Sequence, residues 1–169
     1  ITETLEARGL QPVVITGLDP VGSFQANGGR LLAILRAFEE THPGETYDVV
    51  AHSAGGLYMA EALTRDPHLR VGTVITIATP YHGAEIVDLL HWVPGYPVIT
   101  RALNLENLKE FEASGMPEIL ARIVWQKNVR WLALAAAQPT CGVLSCARAE
   151  AQSWLLSLAW RFAGVEGDG

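Results

Sequence analysis

The chain has 169 residues, 49% of them hydrophobic and 18% charged, which suits one domain with a real core and excludes a disordered segment. A formal charge of −6 without a basic cluster argues against a nucleic-acid partner. No apolar run approaches the ~18 residues of a membrane span; the longest candidate, 131–137, is bounded by Arg130 and by Gln138-Pro139.

Residues 1–9 read as the tail of a helix already under way, and Glu166-Gly167-Asp168-Gly169 is a turn-like string with no closing element. The chain therefore reads as an internal piece of a longer one, and the lack of a signal peptide carries no weight on localisation. Pro12-Val13-Val14-Ile15-Thr16 is a short β-branched run ending at Gly17, which predicts a strand and a turn. Residues 25–40 carry Leu31, Leu32, Leu35 and Phe38 at helical spacing, and Pro43-Gly44 ends the helix. A strand over 47–51 follows, then a helix over 54–65 closed by Asp66-Pro67. A third strand over 71–78 ends in Thr79-Pro80. Strands alternating with helices imply a parallel sheet, and near-continuous apolar strands imply helices on both of its faces.

After Gly83 the pattern changes. Apolar helical segments are separated by Pro94-Gly95, Gly115-Met116-Pro117 and Gln138-Pro139, and no strand is expected before Gly164. All five tryptophans (92, 125, 131, 154 and 160) fall here. The expected organisation is one partial domain: a sheet core over 1–83, a helical cap or lid over 84–162, and the start of a further strand and turn over 163–169.

Ser53 carries the most specific chemical signal. It lies in Ala51-His52-Ser53-Ala54-Gly55-Gly56, after an apolar strand and before a helix. Such a strand–turn–helix presents a serine hydroxyl at the end of a parallel sheet. The turn must be sharp, so the residues two away, Ala51 and Gly55, are expected to be small. Gly56 is expected to let the helix pack close. The Ala54 N–H, at the helix start, is the expected donor to a developing oxyanion. The plainer reading is a strand–helix turn with a capping serine.

Val74-Ile75-Thr76-Ile77-Ala78-Thr79-Pro80-Tyr81-His82-Gly83-Ala84-Glu85 extends the signal. With the Ser53 string, it resembles the bacterial triacylglycerol lipases, in which a Thr-Pro-His-x-Gly-Ser-type turn follows the nucleophile elbow by one helix and one strand. Val13-Val14-Ile15-Thr16-Gly17-Leu18 and Asn27-Gly28-Gly29-Arg30-Leu31-Leu32 are similar to the strand and helix that precede the elbow there. The resemblance covers about residues 8–90. It implies an α/β-hydrolase fold and, more loosely, a secreted lipase or esterase. Two positions depart from the pattern: Ala51 stands where glycine is usual, and the second turn reads Tyr81-His82.

A serine nucleophile needs a histidine base, and the histidine needs an acid. In this fold the order is Ser, then Asp or Glu, then His. Asp168, in Gly167-Asp168-Gly169, resembles the Asp-Gly turn that carries the acid in these lipases; a solvated terminal aspartate is the other reading. Glu85 and Asp88 are rival acids. His42, His52, His68, His82 and His91 all precede Asp168. His52 is expected to pack under the turn, and His42 and His68 to be solvated. His82 has the right place at a strand end but the wrong order, so the base is expected beyond Gly169. The second oxyanion donor is expected before Ile1.

The apolar segment 86–93 is either a lid helix that meets a lipid–water interface or an ordinary packed helix. Trp125, Trp131, Trp154 and Trp160 read as core residues. Cys141 and Cys146 form a local disulfide or remain two thiols. No metal or cofactor is called for, and no aspartate between Asp88 and Asp168 is available to hold calcium. The expected activity is hydrolysis of a small-molecule or lipid-like carboxylic ester through an acyl-enzyme on Ser53. An acyltransferase or thioesterase, or a non-catalytic hydrolase-like binding protein, are the alternatives.

Overall fold

The structure, a computed structural model, describes residues 2–19, 22–83, 110, 112 and 114–135. Helix α1 (Thr2–Glu6) opens it, as the sequence leads one to expect. The run Pro12-Val13-Val14-Ile15-Thr16, however, forms no strand. A strand exists only when its backbone N–H and C=O groups pair with a neighbour, and no described segment pairs with this one. Val13 and Val14 are each 66% exposed, while Ile15 and Leu18 rest against the core.

Helix α2 (Phe24–Thr41) starts where the Ser23 hydroxyl accepts the Ala26 N–H. Its core side is Phe24, Leu31, Leu32 and Leu35, all buried. Asn27, fully buried, holds the preceding loop: its side chain accepts from Asp19 N–H and donates to the Asp19 and Gly22 carbonyls. Gly28 faces helix α3 (Gly55–Arg65), where a Cβ would stand 2.7 Å from Glu61 Cβ, so the Asn-Gly pair lets two helices meet closely. Leu57, Met59, Ala60, Ala62 and Leu63 of α3 are buried between α2 and the sheet.

The sheet has three parallel strands in the order β1 (Tyr47–His52), β2 (Val71–Ile77), β3 (Arg130–Leu134). Val50, Ile75 and Leu132 form one row across it, and His52, Ile77 and Leu134 the next row on the same face. Strand β3 lies within the range read from sequence as helical, together with a short helix α4 (Met116–Arg122). The physical reason is its ladder: β3 pairs with β2 from Thr73–Arg130 to Ile77–Leu134, a long-range pairing that local pattern does not reveal. Val74 and Thr76 are buried on the α3 side, whereas Val50, Leu132 and Leu134 of the opposite rows are exposed. Helices therefore cover one face among the described residues.

Arg70 fastens the lower end of this layer. Its guanidinium donates to the carbonyls of Glu39, His42 and Glu45, and its own N–H reaches Glu39 Oε1. Tyr47 donates to the same carboxylate, and burial, then that contact with Glu39, pushes its hydroxyl well above the ordinary tyrosine range.

Candidate active site

Ser53 follows β1 directly and has φ +53°, in the left-handed region that non-glycine residues rarely occupy. Its N–H continues the sheet ladder one residue past the strand, donating to Ile77 O at 2.9 Å. Helix α3 starts two residues later, with Ala54 at its N-cap and no side chain capping it. A strand run into a helix through a single left-handed residue leaves that side chain outside both elements, and Ser53 is exposed. Its Oγ makes no hydrogen bond to a described residue. The Ala54 N–H likewise has no described acceptor, so the first turn of α3 presents a free donor beside the hydroxyl.

The demand for a small residue falls on Gly56, as expected, and not on Gly55. A Cβ at Gly55 would meet Ala51 Cβ at 3.7 Å, an ordinary contact. At Gly56 it would stand 2.8 Å from Thr79 Cγ2 and 2.9 Å from Thr76 Cγ2, with Thr79 Oγ1 nearer still. Gly56 is thus what brings α3 against the end of β2.

Strand β2 ends as β1 does. Ala78 has φ +51°, and its N–H donates to Leu134 O at 2.9 Å. Thr79, next in the chain, donates from Oγ1 to Ser53 O at 2.9 Å. Sequence reasoning missed this contact. Its signal was a hydroxyl residue two past the end of the strand next to the Ser53 turn. The turn then closes through Gly83 N–H to Pro80 O, with His82 exposed on it.

Below the turn, Tyr81 donates its hydroxyl to Thr76 Oγ1 at 3.2 Å, and burial raises its pKa. Thr76, Tyr81, Leu120, Trp125, Trp131, Leu132 and Ala133 line a cavity of about 300 Å³. Trp125 and Trp131 meet edge to face at 4.9 Å, and the buried Trp131 Nε1 has no hydrogen-bond partner among the described residues. Trp131 is half-buried and Trp125 is 45% exposed, so the two line an apolar space instead of filling a sealed core.

Three histidines differ from or match expectation as follows. His52 does not pack under the turn: it is exposed, because the β1 pleat sends it to the face opposite α3. His42 is not merely solvated: it caps α2, stacks on Phe38 at 4.1 Å, and its Nδ1 lies 3.0 Å from Phe38 O. His68 is exposed, as expected. Asp168, Glu85, Asp88, His91, Cys141, Cys146, the lid segment 86–93 and the 163–169 turn lie outside the described residues. The groups brought together are therefore Ser53, Ala54 N–H, Gly56 and Thr79. Among the described residues no His, Cys, Asp and Glu cluster has metal-binding spacing, and no helix is long and apolar enough to cross a membrane.

The described residues form a partial α/β fold, a small parallel sheet with helices. Among solved structures the chain is similar to the Bacillus licheniformis lipase BlEst2 in its mature form, at 24% identity and a TM-score of 0.59, over 83% of this chain and 58% of that one. The propeptide form of the same lipase matches at 24% identity and a TM-score of 0.61, over 73% of this chain and 28% of that one. The chain thus spans less than two thirds of either. No family model matches the chain, and no curated protein matches it.

Proposed function

We propose that the chain carries the nucleophile of a serine carboxylic-ester hydrolase of the lipase or esterase type. The observation that carries this reading is Ser53 itself: an exposed, left-handed serine between a parallel strand and a helix, next to an Ala54 N–H that has no acceptor among the described residues. Holding a serine in that conformation costs on the order of 1 kcal/mol or more. A capping serine would sit in extended backbone and give its Oγ to the helix, and Ser53 does neither.

In the proposed reaction a histidine base takes the Ser53 Oγ proton as the oxygen bonds to the ester carbonyl carbon. The carbonyl π pair moves onto its oxygen, where Ala54 N–H receives it. Collapse re-forms the carbonyl, breaks the ester C–O bond and releases an alcohol that takes the proton from the histidine. Water, deprotonated by the same base, then attacks the acyl carbon and frees the acid and Ser53. Asp168 is the proposed acid that orients the histidine. A lipid-like ester is the proposed substrate, a preference supported by the likeness to the lipase BlEst2.

Incubating the intact protein with short- and long-chain nitrophenyl esters, with and without alcohol and thiol acceptors, tests the reaction class. Free acid as the dominant product supports hydrolysis. Dominant transfer to an added acceptor would instead make it an acyltransferase.

A further inference from the structure

The Ser53 carbonyl is held from two sides. Thr79 Oγ1 donates to it at 2.9 Å and Gly56 N–H at 3.2 Å, which uses both acceptor positions of the oxygen. That oxygen belongs to the same peptide unit as the Ala54 N–H. The unit is planar and trans, so its N–H points opposite its C=O, and fixing one fixes the other. Turning the Ala54 N–H away would break both hydrogen bonds at once.

The placement of Thr79 depends on two further features. Ala78, left-handed like Ser53, turns the chain at the end of β2 so that the next residue reaches back to the neighbouring strand's turn. Gly56, with no side chain, leaves the space that the Thr79 side chain occupies. Neither feature is needed to end a strand.

We infer that Thr79 is a positioning residue for the oxyanion-stabilising peptide, its hydroxyl fixing the Ser53–Ala54 unit so that the Ala54 N–H stays available to the oxygen that gains charge during acylation. The inference rests on the ester-hydrolase reading and deepens it. A donor fixed before the reaction matters most in the transition state, so loss of the hydroxyl is expected to lower kcat and leave KM unchanged.

The test compares the intact wild-type protein with Thr79→Val, Thr79→Ser and Thr79→Ala. Three quantities are read: the second-order rate of labelling by a fluorophosphonate probe, kcat and KM on a short nitrophenyl ester, and the thermal midpoint. Thr79→Val is expected to label about three- to tenfold more slowly, the effect of one neutral hydrogen bond, with the loss in kcat and with Thr79→Ser near wild type. If Thr79→Val disturbs the packing against Gly56, the alanine and serine variants decide. A loss in Thr79→Ala that serine rescues supports the inference; an equal loss in both overturns it. Wild-type rates in Thr79→Val, with Ser53 labelled, overturn the inference and leave the hydrolase reading standing. No labelling of wild-type Ser53 overturns both.

Discussion

Replacing Ser53 by glycine and, separately, by alanine divides the shape of the elbow from its chemistry. Both changes remove the hydroxyl, and both are expected to abolish covalent labelling. Their stabilities should differ, because Ser53 sits at φ +53°. Alanine keeps a Cβ in that conformation and bears its cost of ~1–2 kcal/mol. Glycine adopts it freely but gives back ~0.4–1 kcal/mol through the greater freedom of its unfolded chain. Taken at the middle of each range, the balance favours glycine by about 0.8 kcal/mol. In a domain of this size that corresponds to a thermal midpoint about 1–4 °C higher for Ser53→Gly than for Ser53→Ala. Scanning calorimetry on the intact protein reads the difference directly. An alanine variant as stable as the glycine variant would show that Ser53 is not held left-handed, and the elbow geometry would fall with it.

Further outcomes follow from neighbouring contacts. Gly56→Ala drives a methyl against Thr79 and the fully buried Thr76, and should cost about 1–3 kcal/mol by overpacking while slowing Ser53 labelling. Arg70→Met keeps the apolar stem but removes the guanidinium's bonds to the Glu39, His42 and Glu45 carbonyls; a loss of about 1–3 kcal/mol is expected in urea denaturation. The hydrogen bonds from Arg36 and from the His68 N–H to Asp66 hold its carboxylate below the usual aspartate range. A carboxylate with a lowered folded pKa stabilises fully above its unfolded value, about 3.9, and stops doing so as pH falls through the folded value. Asp66→Asn should therefore flatten the wild-type decline in thermal midpoint below about pH 4. His82→Ala, on an exposed turn, should leave the labelling rate within about twofold; a loss of two or more orders of magnitude, the scale of a general base, would move that role to His82.

Much of the sheet core was legible because its signals are local. The strand at 47, the helices from 24 and 55 and the strand at 71 each combine an apolar run with its own terminator, and their observed bounds lie within a residue or so of those expected. Strand β3 escaped notice because five residues beginning Arg130-Trp131 carry no periodicity that separates strand from helix; only pairing with β2 defines them. The 12–16 run failed in the opposite way, having strand propensity with no described partner to pair with. In the candidate site, the turn that sets Ser53 and Ala54 between strand and helix was readable from the small-residue string around it. The Thr79 contact was not, since a hydroxyl reaching a carbonyl 26 residues away exists only after two strands have come into register. His52 illustrates the limit on single residues: its neighbour Ser53 suggested packing, whereas the strand pleat decides its face.

Covalent capture of Ser53 tests the central claim most directly. The intact protein is treated with a fluorophosphonate probe, digested, and mapped by mass spectrometry, with Ser53→Ala alongside. A single adduct on Ser53, absent from the alanine variant and accompanied by loss of esterase activity, is the predicted result. A folded protein that hydrolyses esters with Ser53 unmodified, or that labels equally well as Ser53→Ala, would contradict the claim.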